Sequence, residues 1–214
     1  MRRKKLSYFC LEAGFNPRKP FQTLLGREFC NQLEALHTAS SDFPDPYIHY
    51  GTIYTKKELI FYLTNITRVH GPKMLYFIAH GNQGLISLSD GQAATLDLLS
   101  RYKIGDSILH FSTCLTVSDE EAVKRLMEAT GALLITGYKS LLYLVDGLIV
   151  DLIIITSILR KVKTLTSDSV FKATKFIRNK YEDICKREGF MYCRRGRKQD
   201  SAKYIWYNRE KNDY

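Results

Sequence analysis

The order of apolar and polar positions divides most of the chain into two kinds of run. Apolar runs of four to six residues occur at 6–11 (Leu-Ser-Tyr-Phe-Cys-Leu), 74–79 (Met-Leu-Tyr-Phe-Ile-Ala), 107–112 (Ser-Ile-Leu-His-Phe-Ser) and 133–136 (Leu-Leu-Ile-Thr). Their near-continuous apolar content, without strict alternation, marks strands covered on both faces, as in a parallel sheet. Residues 47–54 supply a further strand. Between these runs the apolar residues recur at three- and four-residue steps. Leu25, Phe29, Leu33 and Leu36 line one face of a helix over 22–37. Leu59, Leu63 and Ile66 do the same in a helix opened by Thr55 and Glu58, a capping box that satisfies two free amides at once. That helix stops at His70-Gly71-Pro72. Residues 85–88 with the Asp90-Gly91 turn predict a small hairpin arm, and 95–102 a short helix. An acidic start at 118–121 leads into a helix faced by Val123, Leu126 and Met127 and ended by Gly131; a turn is expected near Gly137. The order β-α-β-α-β-α-β-α-β predicts an α/β fold, a mostly parallel sheet with helices on both faces.

The second part of the chain has a different texture. Residues 146–163 are apolar on every side. Asp146 and Asp151 interrupt the run, each at a cost of roughly 3 kcal/mol at a bilayer centre. The uninterrupted part, 152–159, is too short to span a membrane. A helix buried in the domain, or covered by a protein partner or a second copy of the chain over 148–159, is expected instead. Ser167 or Asp168 caps a last helix carrying Phe171, Thr174, Ile177, Tyr181 and Ile184, with Gly189 beyond it. Aromatic runs at 190–192 and 204–207 flank the basic stretch 194–198, a pattern for a terminal hairpin with a basic loop. Gly14, Pro17 and Pro20 break the chain after the first strand, and 40–46 form a loop. With no internal repeat or low-complexity linker, residues 1–214 are expected to form one domain, including a basic C-terminal helix and hairpin over 167–214.

Composition adds one unusual quantity. Hydrophobic residues at 45% and charged residues at 25% are ordinary for a globular chain, but the net charge of +10 is not. Such a charge attracts nucleic acid, acidic partners or anionic surfaces without choosing among them. The five cysteines, Cys10, Cys30, Cys114, Cys185 and Cys193, are odd in number and contain no C-x-x-C pair, which favours free thiols in a reducing compartment. The first five residues, Met-Arg-Arg-Lys-Lys, are not followed by the apolar core of a signal peptide, so a cytoplasmic location is expected. Asn65-Ile66-Thr67 matches a glycosylation acceptor but falls inside a helical pattern and is discounted.

Candidate chemistry collects between residues 73 and 116. One apolar strand runs into His80-Gly81 and another into Thr113-Cys114. Reactive side chains gather at the carboxyl ends of parallel strands. A thiol also needs a neighbouring base or an electropositive setting to serve as a nucleophile. Of the five histidines, His37 and His70 sit in last helical turns, where a helix dipole accounts for them, and His49 lies within a strand. His110 shares a strand face with Cys114, but four residues of strand separate them by roughly 13 Å, beyond hydrogen-bond reach. His80 remains, followed by a glycine that admits close backbone approach. The other cysteines fall within a strand, on helices or in the tail.

At these residues the sequence resembles the caspase-like cysteine peptidases, and among them most the bacterial CHAT-like domains. The shared pattern is an apolar strand ending in His80-Gly81, the short apolar arm 84–88, and a second apolar strand ending in Thr113-Cys114. Thr136-Gly137-Tyr138 and Val145-Asp146-Gly147 resemble the strand and turn that follow the cysteine helix in those domains. The resemblance implies a caspase-like fold and a cysteine endopeptidase acting on polypeptides with a Cys-His dyad and no cofactor or metal. Cys114 would be the nucleophile, His80 would protonate the leaving amine, and the amides of Gly81 and Cys114 would hold the oxyanion. The family pattern departs here after the cysteine, where Leu115-Thr116 stands in place of Ser-Gly. It departs again two residues before it, where Ser112 occupies the position of a substrate-binding acid in metacaspases. Glu12 and Asp146 are further candidates for lining a pocket for a basic substrate side chain; capping or solvated carboxylates are the alternative. Small bacterial members act in immune or regulated-proteolysis settings, which the resemblance extends to this chain as an expectation.

Two rival readings stay open. A basic nucleic-acid-binding protein would use 194–198 for phosphates and Tyr204, Trp206 or Tyr207 for stacking, although no helix-turn-helix or zinc-finger pattern accompanies them. A catalytically inactive caspase-like interaction module is the other. No P-loop, G-x-G-x-x-G, H-E-x-x-H or G-x-S-x-G pattern occurs.

Overall fold

In the computed structural model, residues 6–13, 25–39, 47–142, 144–162, 164–197 and 204–207 are described, with the backbone alone for Leu144, Val145 and Trp206. The expected basic start, the 14–20 break, the 40–46 loop and the centre of the basic C-terminal loop lie outside these residues. Along the chain the elements are β1 (Ser7–Glu12), α1 (Leu25–Ala39), β2 (Tyr47–Thr52), α2 (Lys56–Arg68), β3 (Lys73–Ile78), β4 (Gly81–Asn82), β5 (Leu85–Ser87) and β6 (Ala93–Thr95). There follow α3 (Leu96–Leu99), β7 (Ser107–Ser112), α4 (Glu120–Thr130), β8 (Leu134–Tyr138), α5 (Leu144–Lys161), α6 (Ser167–Lys180), α7 (Glu182–Arg187), β9 (Phe190–Arg195) and β10 (Tyr204–Tyr207).

Five parallel strands, β2-β1-β3-β7-β8, form the centre of a seven-stranded sheet that β9 and β10 extend in antiparallel fashion. Every residue of β1, β3 and β7 is buried, as their apolar continuity requires. Alternate residues face opposite layers. Tyr8, Cys10, Met74, Tyr76, Ile78 and Ile108 pack with α1, α5 and α6, whereas Phe9, Leu11, Leu75, Phe77, Leu109 and Phe111 pack with α2, α3 and α4. Lys73 opens β3 inside the structure, its ammonium donating to the Gly71 and Ile104 carbonyls at 3.1 Å each.

The local signals act as their chemistry dictates. Thr55 and Glu58 form the capping box of α2, and Leu59, Leu63 and Ile66 are its buried face. Gly131 ends α4 in the left-handed conformation at φ 84°. Four expectations need correction. Gly137 lies inside β8 rather than in a turn: a Cβ there would meet the Phe111 carbonyl oxygen at 2.9 Å and Val117 Cγ2 at 3.0 Å, so close strand–loop packing is what needs glycine. The cap of α6 is Thr166, whose box partner is Ser169, not Ser167 or Asp168. The expected last helix divides at Tyr181 into α6 and α7. Val145 to Gly147 belong to the first turn of α5, not to a turn between elements.

The apolar segment around 148–159 is that same α5. Val150, Ile154, Ile155, Ile158 and Leu159 are enclosed by the chain's own sheet and by α1 and α6, while Ile149 is 53% exposed. The chain itself supplies most of the cover of this helix, the first of the two arrangements expected for it. No helix among the described residues is long and apolar enough to cross a membrane.

Candidate active site

β3 and β7 are neighbours, and their register pairs Ile78 with Ser112. His80 and Cys114 therefore each follow a paired strand end by two residues, at adjacent carboxyl ends of one parallel sheet. His80 is exposed and Cys114 is half-buried, whereas Cys10, Cys30, Cys185 and Cys193 are all buried. Burial also pushes the Cys185 and Cys193 thiols up to about 12. A thiol held that high is a poor nucleophile at neutral pH. Cys114 is the one cysteine of the five that is not buried.

Gly81 joins the two strand ends. A Cβ on it would run into the Cys114 carbonyl oxygen and the Thr116 hydroxyl, and would come within 2.9 Å of Thr113 Cβ. The Ser87 amide donates to the His80 carbonyl at 2.8 Å, and Gly81 is paired with Ile86. Gly81 thus occupies the wide position of this ladder, where the amide points away from the partner strand. The apolar arm predicted at 85–88 is the middle strand of a small β4-β5-β6 sheet; its third strand, Ala93–Thr95, falls partly in the stretch expected to be a helix. Thr116 ties this arm to the cysteine loop by donating to the Leu85 carbonyl at 2.7 Å.

The cysteine loop carries backbone strain. Leu115 adopts φ 58°, the left-handed region that a branched apolar side chain enters at a cost of roughly 1 kcal/mol or more. Three contacts hold the segment that lies over the sulfur, one of them the Cys114 thiol donating to the Leu142 carbonyl at 3.8 Å. The Leu142 amide donates to Cys114 Sγ at 3.2 Å, and the Leu115 amide donates to the Ser140 carbonyl at 3.3 Å. The segment is fixed in turn by the Lys139 amide donating to the Gly189 carbonyl at 3.0 Å and by the Ser140 hydroxyl donating to the Glu188 carbonyl at 2.9 Å. The C-terminal part of the chain therefore helps to set the position of the thiol.

The other residues singled out for substrate binding have different surroundings. Glu12 is the last residue of β1, not a loop residue, and it is buried. Its carboxylate accepts the Leu25 and Gly26 amides at 3.1 and 3.0 Å and the Tyr50 hydroxyl at 2.7 Å, which caps the start of α1. Burial raises its carboxyl above the usual range against the lowering effect of those donors. Asp146 is exposed in the first turn of α5. Ser112 is buried and hydrogen-bonds within the cluster formed by Asp151 and Tyr76.

That cluster is absent from the sequence-based expectations. Asp151, fully buried on α5, accepts the Tyr76 hydroxyl at 2.8 Å, the Tyr138 hydroxyl at 2.5 Å and His110 Nε2 at 2.7 Å. The second ring nitrogen of His110 meets the Thr136 hydroxyl at 2.7 Å. Burial works to raise the Asp151 carboxyl, yet His110 and the surrounding donors outweigh it and leave the group below its ordinary range. One carboxylate thus ties α5 to β3, β7 and β8 directly beneath the strand ends that carry His80 and Cys114. The interrupting Asp151 that argued against a membrane span is an anchor.

The basic tail is engaged with the protein. Arg194 and Arg197 lie over the Phe171 ring at 5.0 and 3.8 Å, and Arg195 donates to the Met127 carbonyl at 3.3 Å. Tyr207 stacks on Tyr192 at 5.2 Å, and the Tyr204 hydroxyl donates to Glu128 at 2.6 Å. The aromatic platforms of the nucleic-acid reading are packed inward at these two positions. No group of three or more potential metal ligands occurs among the described residues.

No protein-family model matches this chain, and no curated relative does. Solved structures do. The crystal structure of the Drosophila initiator caspase Dronc is similar over 84% of this chain and 75% of its own, with a TM-score of 0.53 and 10% identity. The fold is caspase-like. A secreted C11 cysteine protease from Bacteroides thetaiotaomicron, solved in complex with an irreversible peptide inhibitor, also matches over 84% of this chain, with a TM-score of 0.47 and 11% identity. The match spans 59% of that protease.

Proposed function

We propose that this caspase-like chain is a cysteine endopeptidase in which Cys114 and His80 form the catalytic dyad. The observation that carries the reading is the pairing of β3 with β7, from whose neighbouring carboxyl ends the two residues emerge. The exposure of His80 and the partial exposure of Cys114 support it, against four buried cysteines.

In this reading Cys114 Sγ attacks the carbonyl carbon of the scissile peptide. The thiol proton passes to His80, and the carbonyl π electrons move onto oxygen. Gly81 and Cys114 amides receive that oxyanion, an interaction worth roughly 3 kcal/mol per donor in the transition state. Collapse of the intermediate breaks the C–N bond, and the amine leaves with the proton from His80. Water, deprotonated by His80, then hydrolyses the acyl-thioester and restores the thiol. The Leu142 amide keeps the sulfur oriented at the mouth of the site. Residues 1–214 act as one peptidase domain, since β9 and β10 extend the catalytic sheet and the Gly189 and Glu188 carbonyls brace the segment over Cys114. The setting we assign is cytoplasmic regulated proteolysis, of the immune kind suggested by the resemblance to CHAT-like domains. Asp146, exposed at the start of α5, is the carboxylate we assign to substrate contact, while Glu12 and Ser112 serve the scaffold.

A peptide-library cleavage assay on the wild type and on Cys114→Ala tests the assignment. Cleavage that disappears in the variant supports it, and equal cleavage by both proteins overturns it.

A further inference from the structure

On the α5–α6 side of the molecule a cleft of about 630 Å³ opens between the last turns of α5 and the end of α6. Arg160, Lys161 and Lys180 line it together with Phe176, Tyr181 and the hydroxyl residues Thr156 and Ser157. Helix dipoles account for part of this: Arg160 and Lys161 lie in the last turn of α5 and Lys180 in the last turn of α6, where a cation is favoured. They do not account for the convergence. The Lys161 and Lys180 ammonium groups both turn over one ring, at 4.7 and 5.5 Å from the centroid of Phe176, and Lys180 also lies 5.5 Å from that of Tyr181. The Arg160 guanidinium lines the same cleft, and none of the three cations forms an ion pair with a carboxylate among the described residues.

Three like charges around one small space repel one another, and an anion between them converts that repulsion into attraction. Arginine supplies a planar fork that matches phosphate oxygens in pairs, and the lysines act as mobile point charges. Phe176 and Tyr181 meet edge to face with centroids 6.0 Å apart, and a flat ring can rest against them once an anion draws the Lys161 and Lys180 ammonium groups off the rings. The volume lies within the ordinary range for small-molecule sites. We propose that this cleft binds a nucleotide: Arg160, Lys161 and Lys180 take the phosphates, Phe176 and Tyr181 face the base, and Ser157, only 7% exposed at the floor, offers a hydroxyl. The site lies on α5, a helix that also carries Asp151, but its occupancy does not depend on the peptidase reading.

The test is calorimetric titration of the full chain with ATP, with inorganic triphosphate, and with a short DNA duplex at equal phosphate concentration in low salt. Arg160→Glu, Lys180→Glu and Phe176→Leu are titrated in parallel, and circular dichroism checks that each variant is folded. Saturable one-to-one ATP binding is expected, weakened at least ~10-fold by either charge reversal and several-fold by Phe176→Leu. Triphosphate is expected to bind more weakly than ATP. Three results overturn the proposal: no saturable ATP binding, ATP binding unchanged in the folded charge reversals, or triphosphate or duplex binding as tight as ATP. The last result would make the cleft a general polyanion surface.

Discussion

Gly81 sits so close to the Cys114 carbonyl and the Thr116 hydroxyl that no side chain fits without moving the cysteine loop. Gly81→Ala is therefore expected to lower kcat/KM for a cleavable peptide by roughly 100-fold or more, the scale of losing one oxyanion donor. Kinetics indistinguishable from wild type would show that the cysteine loop accepts a Cβ here without any loss of the site's geometry. The cysteines give a second residue-scale outcome. Four are buried and one is half-buried, so a thiol reagent applied to the native protein should modify one cysteine fast. That fast phase should vanish in Cys114→Ala; its survival there would assign the accessible thiol elsewhere. The positions of His80 and Cys114 were readable because each follows the end of an apolar strand by two residues, while Gly81, read with them, opens β4. Glu12 was open to a capping role, the alternative that holds, but the helix it caps was not readable, because its donors Leu25, Gly26 and Tyr50 lie 13 to 38 positions away.

The elements whose signals are local match their sequence most closely. β7 begins and ends where its apolar run does, and Thr55 and Glu58 cap α2 as their spacing requires. Thr55→Ala should lower stability by about 1 kcal/mol, read as a shift of the urea midpoint without a change in slope. An unchanged midpoint would mean that the capping contacts contribute nothing measurable. Elements set by distant packing were harder to read. β6 is three residues of Ala-Ala-Thr, two weak strand formers and one good one, too short a run to announce a strand, and it pairs because β5 lies beside it. The separation of α6 from α7 at Tyr181 carries no glycine or proline to announce it. Gly137 carries an ordinary turn residue's identity but is used for space, since Phe111 and Val117 crowd it from another element.

For the molecule as a whole, the parallel sheet and its two helical layers were legible because strands buried on both faces lose their alternation. The tie that fixes α5 to that sheet was not, because Asp151 meets partners 13 to 75 positions away. Asp151→Asn keeps one acceptor oxygen but removes the charge opposite His110 and sets an amide N–H among the hydroxyl donors; it should cost roughly 3 kcal/mol at neutral pH. The pH dependence has a definite sign. The folded-state carboxyl is held below its ordinary value, so its contribution is present above about pH 4 and is lost as the pH falls through the lowered folded value. Urea midpoints taken between about pH 5 and pH 3 should fall more steeply for the wild type than for Asp151→Asn. Parallel curves would remove Asp151 from the acid response. The same sheet brings His80 and Cys114 to its carboxyl end, and the most direct measurement of the account is peptide cleavage by Cys114→Ala and His80→Ala beside the wild type, with thermal midpoints recorded for all three. Cleavage by the wild type, lost in both variants while their midpoints stay close to its own, is the predicted result; undiminished cleavage in the two variants would contradict it.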